Sequence, residues 1–184
     1  LAGHIERPSF SSLKPDWRGM KLLPKLMAAE QGDDAILSIV LDELEGEGFR
    51  VVGVHQVLPD LLADTGVIAG PSPSKDDEAD IARGVAVVRA LGTADVGQAA
   101  VVQQGVVLAV EAIDGTDAML SRCQEVRRDG GGGVLVKCCK PGQDRRVDMP
   151  TIGPRTLEGA IAAGLAGIAV EAGATLVLDR ARLI

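Results

Sequence analysis

"AAVVQQGVVLAVEAIDGTDAML", Ala99 to Leu120, decides the fold. Two apolar runs flank Gln103, Gln104 and Gly105, which is the pattern of two strands joined by a tight hairpin. The second run ends at Glu111, turns through Asp114 and Gly115, and enters a helix from about 116 to 126. Elsewhere the chain alternates strands with helices. A hairpin set into that alternation predicts an α/β fold, with a mixed or mostly parallel sheet flanked by helices. Glu111, Asp114 and Asp117 fall where an apolar strand would be leaving the core. That placement suits turn and cap residues first, and it also allows a site for phosphate and metal.

Outward from this stretch, "GDDAILSIVLDELEGEGF" is an amphipathic helix, with Ile36, Leu37, Val40, Leu41 and Leu44 at helical spacing. Asp33 or Asp34 can cap its start, and Gly46 or Gly48 can end it. "RVVGVHQVL" reads as a strand. "KDDEADIARGVAVVRAL" is a second helix, closed by Gly92. Beyond the hairpin, "RRDGGGG" reads as a flexible loop and "VLVKCCK" as a strand. "RRVDMPTIG" is a short strand entering a turn. "TLEGAIAAGLAG" is a helix of small residues suited to close packing on a sheet, and "GIAVEAG" and "TLVLD" are strands. Residues 1–32 are loop-rich with helical pieces. The Gly, Pro and Ser of "ADTGVIAGPSPSKDD" mark 63–77 as a linker or exposed loop. The expected organisation is a remnant of an N-terminal domain at 1–62 and a C-terminal α/β domain at 78–184. The chain opens on "LAGHIERPSF" without Met and closes on "TLVLDRARLI" just after a strand, so a fragment is expected.

The composition narrows the function classes. With 46% hydrophobic and 24% charged residues, the 184-residue chain can bury a sizeable core. Only 2% are aromatic, so that core is aliphatic. A net charge of −7 argues against a nucleic-acid partner, since phosphate backbones reward a surplus of Lys and Arg. Cys123, Cys138 and Cys139 form neither a disulfide framework nor a zinc spacing, which points to a reduced, cytoplasmic setting. Cys138 and Cys139 read as buried small hydrophobes, and His4 and His55 stand alone. No run of about 18 apolar residues predicts a transmembrane helix. "GGGG" at 130–133 lacks the Lys-Ser/Thr of a P-loop.

Two constellations can carry chemistry. Thr116 is a good N-cap and Asp117 suits the first turn of a helix, with no ligand required. The same Gly115–Thr116 turn could also cradle an anion on helix amides, and Asp114 and Asp117 could hold Mg²⁺ bridging phosphates. The second constellation is Asp148, between Val147 and Met149 at a strand end. It is either a cap for the turn at Thr151 or a carboxylate at the carboxyl edge of the sheet, where α/β sites open. Such a group could orient or deprotonate water, or ligate a metal. Lys137, Lys140, Arg145 and Arg146 could pair with phosphate or simply form a solvated basic face. Gln98, Gln143 and Thr151 complete the candidate substrate-binding set.

"GDDAIL", "DVGQAAVV", "GVVLAVEAIDGTDAML", "VLVKCCKPGQDRRVDMPTIG" and "AAGLAGIAVEAG" together resemble the LpxI-type UDP-2,3-diacylglucosamine pyrophosphatases. The resemblance spans nearly the whole chain, and the stretch from Lys137 to Gly153 is specific. It implies a two-domain enzyme of lipid A biosynthesis that holds its lipid between the domains. Such an enzyme cleaves the pyrophosphate of a lipid-linked UDP-sugar to UMP and 2,3-diacylglucosamine 1-phosphate. It further implies Mg²⁺ or another divalent cation, a Gram-negative bacterial source, transient contact with the inner membrane surface, and a homodimer among the expected states. The family's essential aspartate falls on Asp148, and its Glu-Gly-Thr-Asp-Ala-Met segment falls on Asp114 to Met119. Departures are Asp114 in place of Glu, Met149 in place of Leu, the Cys138–Cys139 pair, and the expected absence of the Gly-rich opening, most of the first domain and the final strand region. Rival classes are a nucleotide-sugar or lipid-phosphate binding module without catalysis, another Mg²⁺-dependent phosphohydrolase, and a structural interaction domain.

Overall fold

A computed structural model describes residues 15–28 and 33–184. The opening segment, with His4 and Pro8, and residues 29–32 lie outside the described residues. Helix α1 spans Trp17–Ala28 and α2 Asp33–Gly46. Of the expected stripe on α2, Leu41 is buried and Leu37 half-buried, Val40 and Leu44 are exposed, and Ile36 lies outside the described side chains. The helix ends where the N–H groups of Glu47, Gly48 and Phe49 turn back onto its last carbonyls, with Gly48 at a positive φ of 89°.

The expected strand at 50–58 is instead extended coil leading into a four-residue helix α3, Val54–Val57, and a 3₁₀ turn at Pro59–Leu61. The Gln56 side-chain carbonyl accepts from Gly53 N at 2.9 Å and starts the turn. Val52, Val54 and Val57 stay exposed. Among the described residues no strand lies beside them to pair with, and propensity alone does not hold a strand.

Helix α4, Lys75–Thr93, begins with a capping box in which Ser74 and Asp77 satisfy each other's backbone N–H groups. It runs through Gly92 and ends at Ala94, two residues beyond the expected stop. Strands β1 (Ala99–Gln103) and β2 (Val106–Val110) form the expected hairpin. Gln104 and Gly105 have φ of 52° and 75°, the pair of positive angles that suits a tight hairpin between twisted strands. Both turn amides donate to the carboxylate of buried Asp80 on α4, at 2.9 and 2.6 Å. Asp80→Ala should therefore strand two amides and cost roughly 1–3 kcal/mol, with faster amide exchange at Gln104 and Gly105. An unchanged denaturation midpoint would refute this role for the carboxylate.

Helix α5 spans Gly115–Val126, β3 Val134–Lys137, β4 Thr151–Ile152, α6 Pro154–Ala162, β5 Gly167–Val170, β6 Leu176–Val177 and α7 Arg180–Leu183. The main sheet has the order β2-β1-β3-β5, with β1 antiparallel to both neighbours and β3 parallel to β5, so it is mixed. A small parallel pair, β4-β6, packs around Ala63, Ile152 and Val177. Ala63 is tied in by its N–H to Thr175 O, and the chain is mostly exposed from Asp64 to Asp76.

Strand alternation divides the core into two layers. Ala99, Val101 and Leu135 face Met119, Leu120 and Cys123 of α5 and Ala163 after α6. Ala100, Val134, Val136 and Cys138 face Val88 of α4. Each large side chain so buried contributes about 1.5–3 kcal/mol. Gly159 lets α6 approach α5 closely, since a Cβ there would meet Leu120 Cδ1 at 2.9 Å. The Gly-rich loop is anchored on Gln103, whose fully buried amide bonds Arg128 O, Gly131 O and Arg128 N at 2.8–3.0 Å.

Candidate functional site

The end of the sheet opposite the hairpin turn collects the polar groups. It holds the start of β1, the end of β2, the end of β3 and the chain that follows it. Glu111 follows β2, and its N–H donates to Ala99 O. Its carboxylate accepts from Gln98 N at 3.0 Å and from the Thr116 hydroxyl. Lys137, the last residue of β3, lies on the face of the sheet covered by α5. Its ammonium donates to Thr116 Oγ1 at 2.6 Å and sits 3.8 Å from Glu111 Oε1. Lys137 and Glu111 are both buried, with side chains 6% and 10% exposed. Burial pushes the Lys137 ammonium below the ordinary lysine range, while Glu111, Asp117 and Asp148 pull it back up.

Asp148 stands in the same neighbourhood, half-buried. "RRVDM" is a hydrogen-bonded turn rather than a strand, because Val147 N and Asp148 N both donate to Asp144 O. One Asp148 oxygen accepts from the Gln143 side-chain amide. Gln143 Oε1 accepts from Lys140 N at 2.9 Å, which fixes the orientation of the amide and leaves Nε2 to face Asp148 and, at 3.4 Å, Gln98 Oε1. Asp148 Oδ1 carries no hydrogen bond among the described residues.

The expected residues thus divide. Gln98, Thr116, Lys137, Gln143 and Asp148 come together, with the Lys140 backbone supporting them. Gly115, at φ 77°, opens α5 beside Thr116. Thr116 is not the N-cap; Asp114 holds that position without a side-chain cap bond, and the Thr116 hydroxyl is drawn inward by Glu111 and Lys137. Asp114 pairs with Arg122, and Asp117 with Arg155 at 2.6 Å on the exposed side of α5. Arg146 folds back on Asp144 and reaches Glu45, and Asp144 is held below the usual carboxylate range by that guanidinium. Arg145 lies 3.9 Å from Glu171, and the Lys140 ammonium pairs with Asp95 at 2.6 Å. Thr151 Oγ1 donates to Met149 O at 3.1 Å. Cys138 is buried in the core, and Cys139 donates to Ala174 O; both thiols are pushed up to about 11 by burial and so stay protonated at neutral pH.

Glu111, weighed with Asp114 and Asp117 as an acid leaving the strand, stands outside the candidate site set drawn from the sequence, yet it lies at the centre of the cluster. Its one signal was an acid ending an apolar run.

Among the described residues, no three His, Cys, Asp or Glu side chains converge as a ready metal cage. One carboxylate with an open oxygen suits a hard cation shared with a ligand's own phosphate oxygens, which is how Mg²⁺ is commonly held.

Fold and site define a three-layer α/β protein with a buried ionic cluster and a partly open carboxylate at one sheet edge. Residues 64–184 match the LpxI C-terminal domain and residues 1–61 the LpxI N-terminal domain. The chain belongs to the LpxI family. It is 49% identical over 191 residues to the UDP-2,3-diacylglucosamine pyrophosphatase LpxI of Caulobacter vibrioides, with all of this chain and 68% of that protein covered.

Proposed function

We propose that the chain hydrolyses the pyrophosphate of UDP-2,3-diacylglucosamine, giving UMP and 2,3-diacylglucosamine 1-phosphate, with Mg²⁺ or another divalent cation. The observation that carries this reading is 49% identity to a protein bearing that name, along the full length of the chain. The site chemistry supports it. Pyrophosphate hydrolysis needs an aligned water and charge neutralisation on the phosphoryl oxygens. Asp148, steadied by Gln143, has an open oxygen with which to orient the water or share a cation. Mg²⁺ held there would neutralise charge on the phosphoryl oxygens. The first turn of α5 offers backbone amides for the same purpose.

No helix among the described residues is long and apolar enough to cross a membrane. The lipid-linked nature of the proposed substrate implies transient contact with the cytoplasmic face of the inner membrane. A homodimer belongs to the same proposal.

The test is release of UMP from UDP-2,3-diacylglucosamine by the purified protein, with and without EDTA. Chelation should lower the rate by about 10²-fold or more, because a Lewis-acid cation supplies several kcal/mol of transition-state stabilisation. Added Mg²⁺ should restore it. Full activity in saturating EDTA would overturn the metal requirement, and tight substrate binding without UMP release would favour a binding module.

A further inference from the structure

Glu111, Thr116 and Lys137 form a closed chain that the hydrolytic reading above leaves without a purpose. The Thr116 hydroxyl gives its proton to Glu111 and takes one from Lys137, so it is used on both sides. The Lys137 ammonium is almost wholly covered and faces Glu111. Neither group, so placed, is a free phosphate ligand. The second Glu111 oxygen is taken by Gln98 N, and the Gln98 side chain touches the amide that holds Asp148. Glu111 therefore joins three elements: the approach to β1, the first turn of α5 and the end of β3. Removing one partner of such a buried pair leaves an uncompensated charge, which is why the arrangement holds its geometry.

We infer that Glu111 is a positioning residue for this site, fixing Lys137 and Thr116 so that the α5 amides and the Gln98–Gln143–Asp148 chain stay aligned on the substrate's phosphates. The inference rests on the proposed hydrolysis. A small misplacement of a reacting group can cost about 10²-fold in rate. Glu111→Gln keeps the size and one acceptor oxygen but removes the charge. It should lower kcat by about 10- to 10²-fold while KM changes less than about threefold.

The decisive comparison adds Thr116 and Lys137. Thr116→Ser keeps the bridging hydroxyl and should retain most of the kcat. Thr116→Val, the same shape without the hydroxyl, should lose kcat as Glu111→Gln does. Glu111→Gln combined with Lys137→Met should lose no more than the worse single variant, because the residues act as one unit. UMP release by the purified protein is the readout, with a thermal melt to confirm folding. If Glu111→Gln fails to fold, the Thr116 pair decides. A Thr116→Val variant that melts normally and turns over within twofold of wild type would overturn the inference. So would fully additive losses in the double variant. Wild-type protein that releases no UMP would instead remove the hydrolytic reading, and this inference with it.

Discussion

Asp148→Ala should lower kcat for UMP release by about 10²-fold or more, while the protein still binds its substrate. Asp148 is half-buried, and one of its oxygens is held by Gln143. A carboxylate that aligns water or a cation only as the phosphoryl group transfers contributes to kcat and little to ground-state binding. KM should accordingly stay near the wild-type value, or fall, since a phosphate approaches more easily once a negative charge is gone. Asp148→Asn sharpens the result. Its amide oxygen can still accept from Gln143, so the turn keeps its hydrogen bond and only the charge is lost. Both variants should be slow, and Asn should melt closer to wild type than Ala. If Asp148 were only a turn residue, Ala would cost about 1 kcal/mol of stability and Asn almost nothing, with turnover near normal in both. Normal turnover in a variant that melts early would refute the catalytic role.

Local chemistry explains which parts of this architecture can be read from the sequence. The hairpin at Gln104–Gly105 is legible because a Gly at a two-residue turn between apolar runs has few other uses. The helices at 75–93 and 115–126 are legible too, the first to within two residues of its end and the second from the Asp114–Gly115 turn that opens it. The segment at 50–58 misleads because its valines report a surface that could pair, and no partner strand lies beside them among the described residues. "RRVDM" misleads for a different reason. Asp144, two residues before Arg146, captures both its guanidinium and its backbone N–H, and so closes a turn where an apolar pattern suggests a strand. The same capture removes Arg146 from the cluster around Asp148. Asp148 stands out through resemblance, not through periodicity. Glu111 is hard to see because its partners lie at Gln98, Thr116 and Lys137. The register between β2, β1 and β3 brings them together, and no spacing along the chain encodes that register.

Gly97→Ala should be among the most damaging small substitutions in the chain, at about 3 kcal/mol or a little more. A Cβ built on Gly97 would lie 2.2 Å from the Glu111 carbonyl oxygen and 2.8 Å from its carbonyl carbon. Both are backbone atoms of the chain leaving β2, and Glu111 N is already bonded to Ala99 O, so neither strand can yield freely. Overpacking against mobile side chains costs typically 1–3 kcal/mol, and a rigid backbone neighbour places this site at the upper end. For a protein of this size, the melting temperature should fall by roughly 6–12 °C. The clash also pushes Gln98 away from Glu111, breaking the 3.0 Å bond that fixes the carboxylate. Activity measured well below the melting temperature should therefore drop too, with kcat falling in the same sense as for Glu111→Gln. Gly46→Ala supplies the control. Gly46 ends α2 with nothing within 4 Å of its added Cβ, and a Gly-to-Ala change at a compatible site is neutral or stabilising by up to about 1 kcal/mol. If Gly97→Ala melts with wild type while Gly46→Ala does also, the close approach of the Gly97 backbone to Glu111 is refuted, and with it the account of how Glu111 is held.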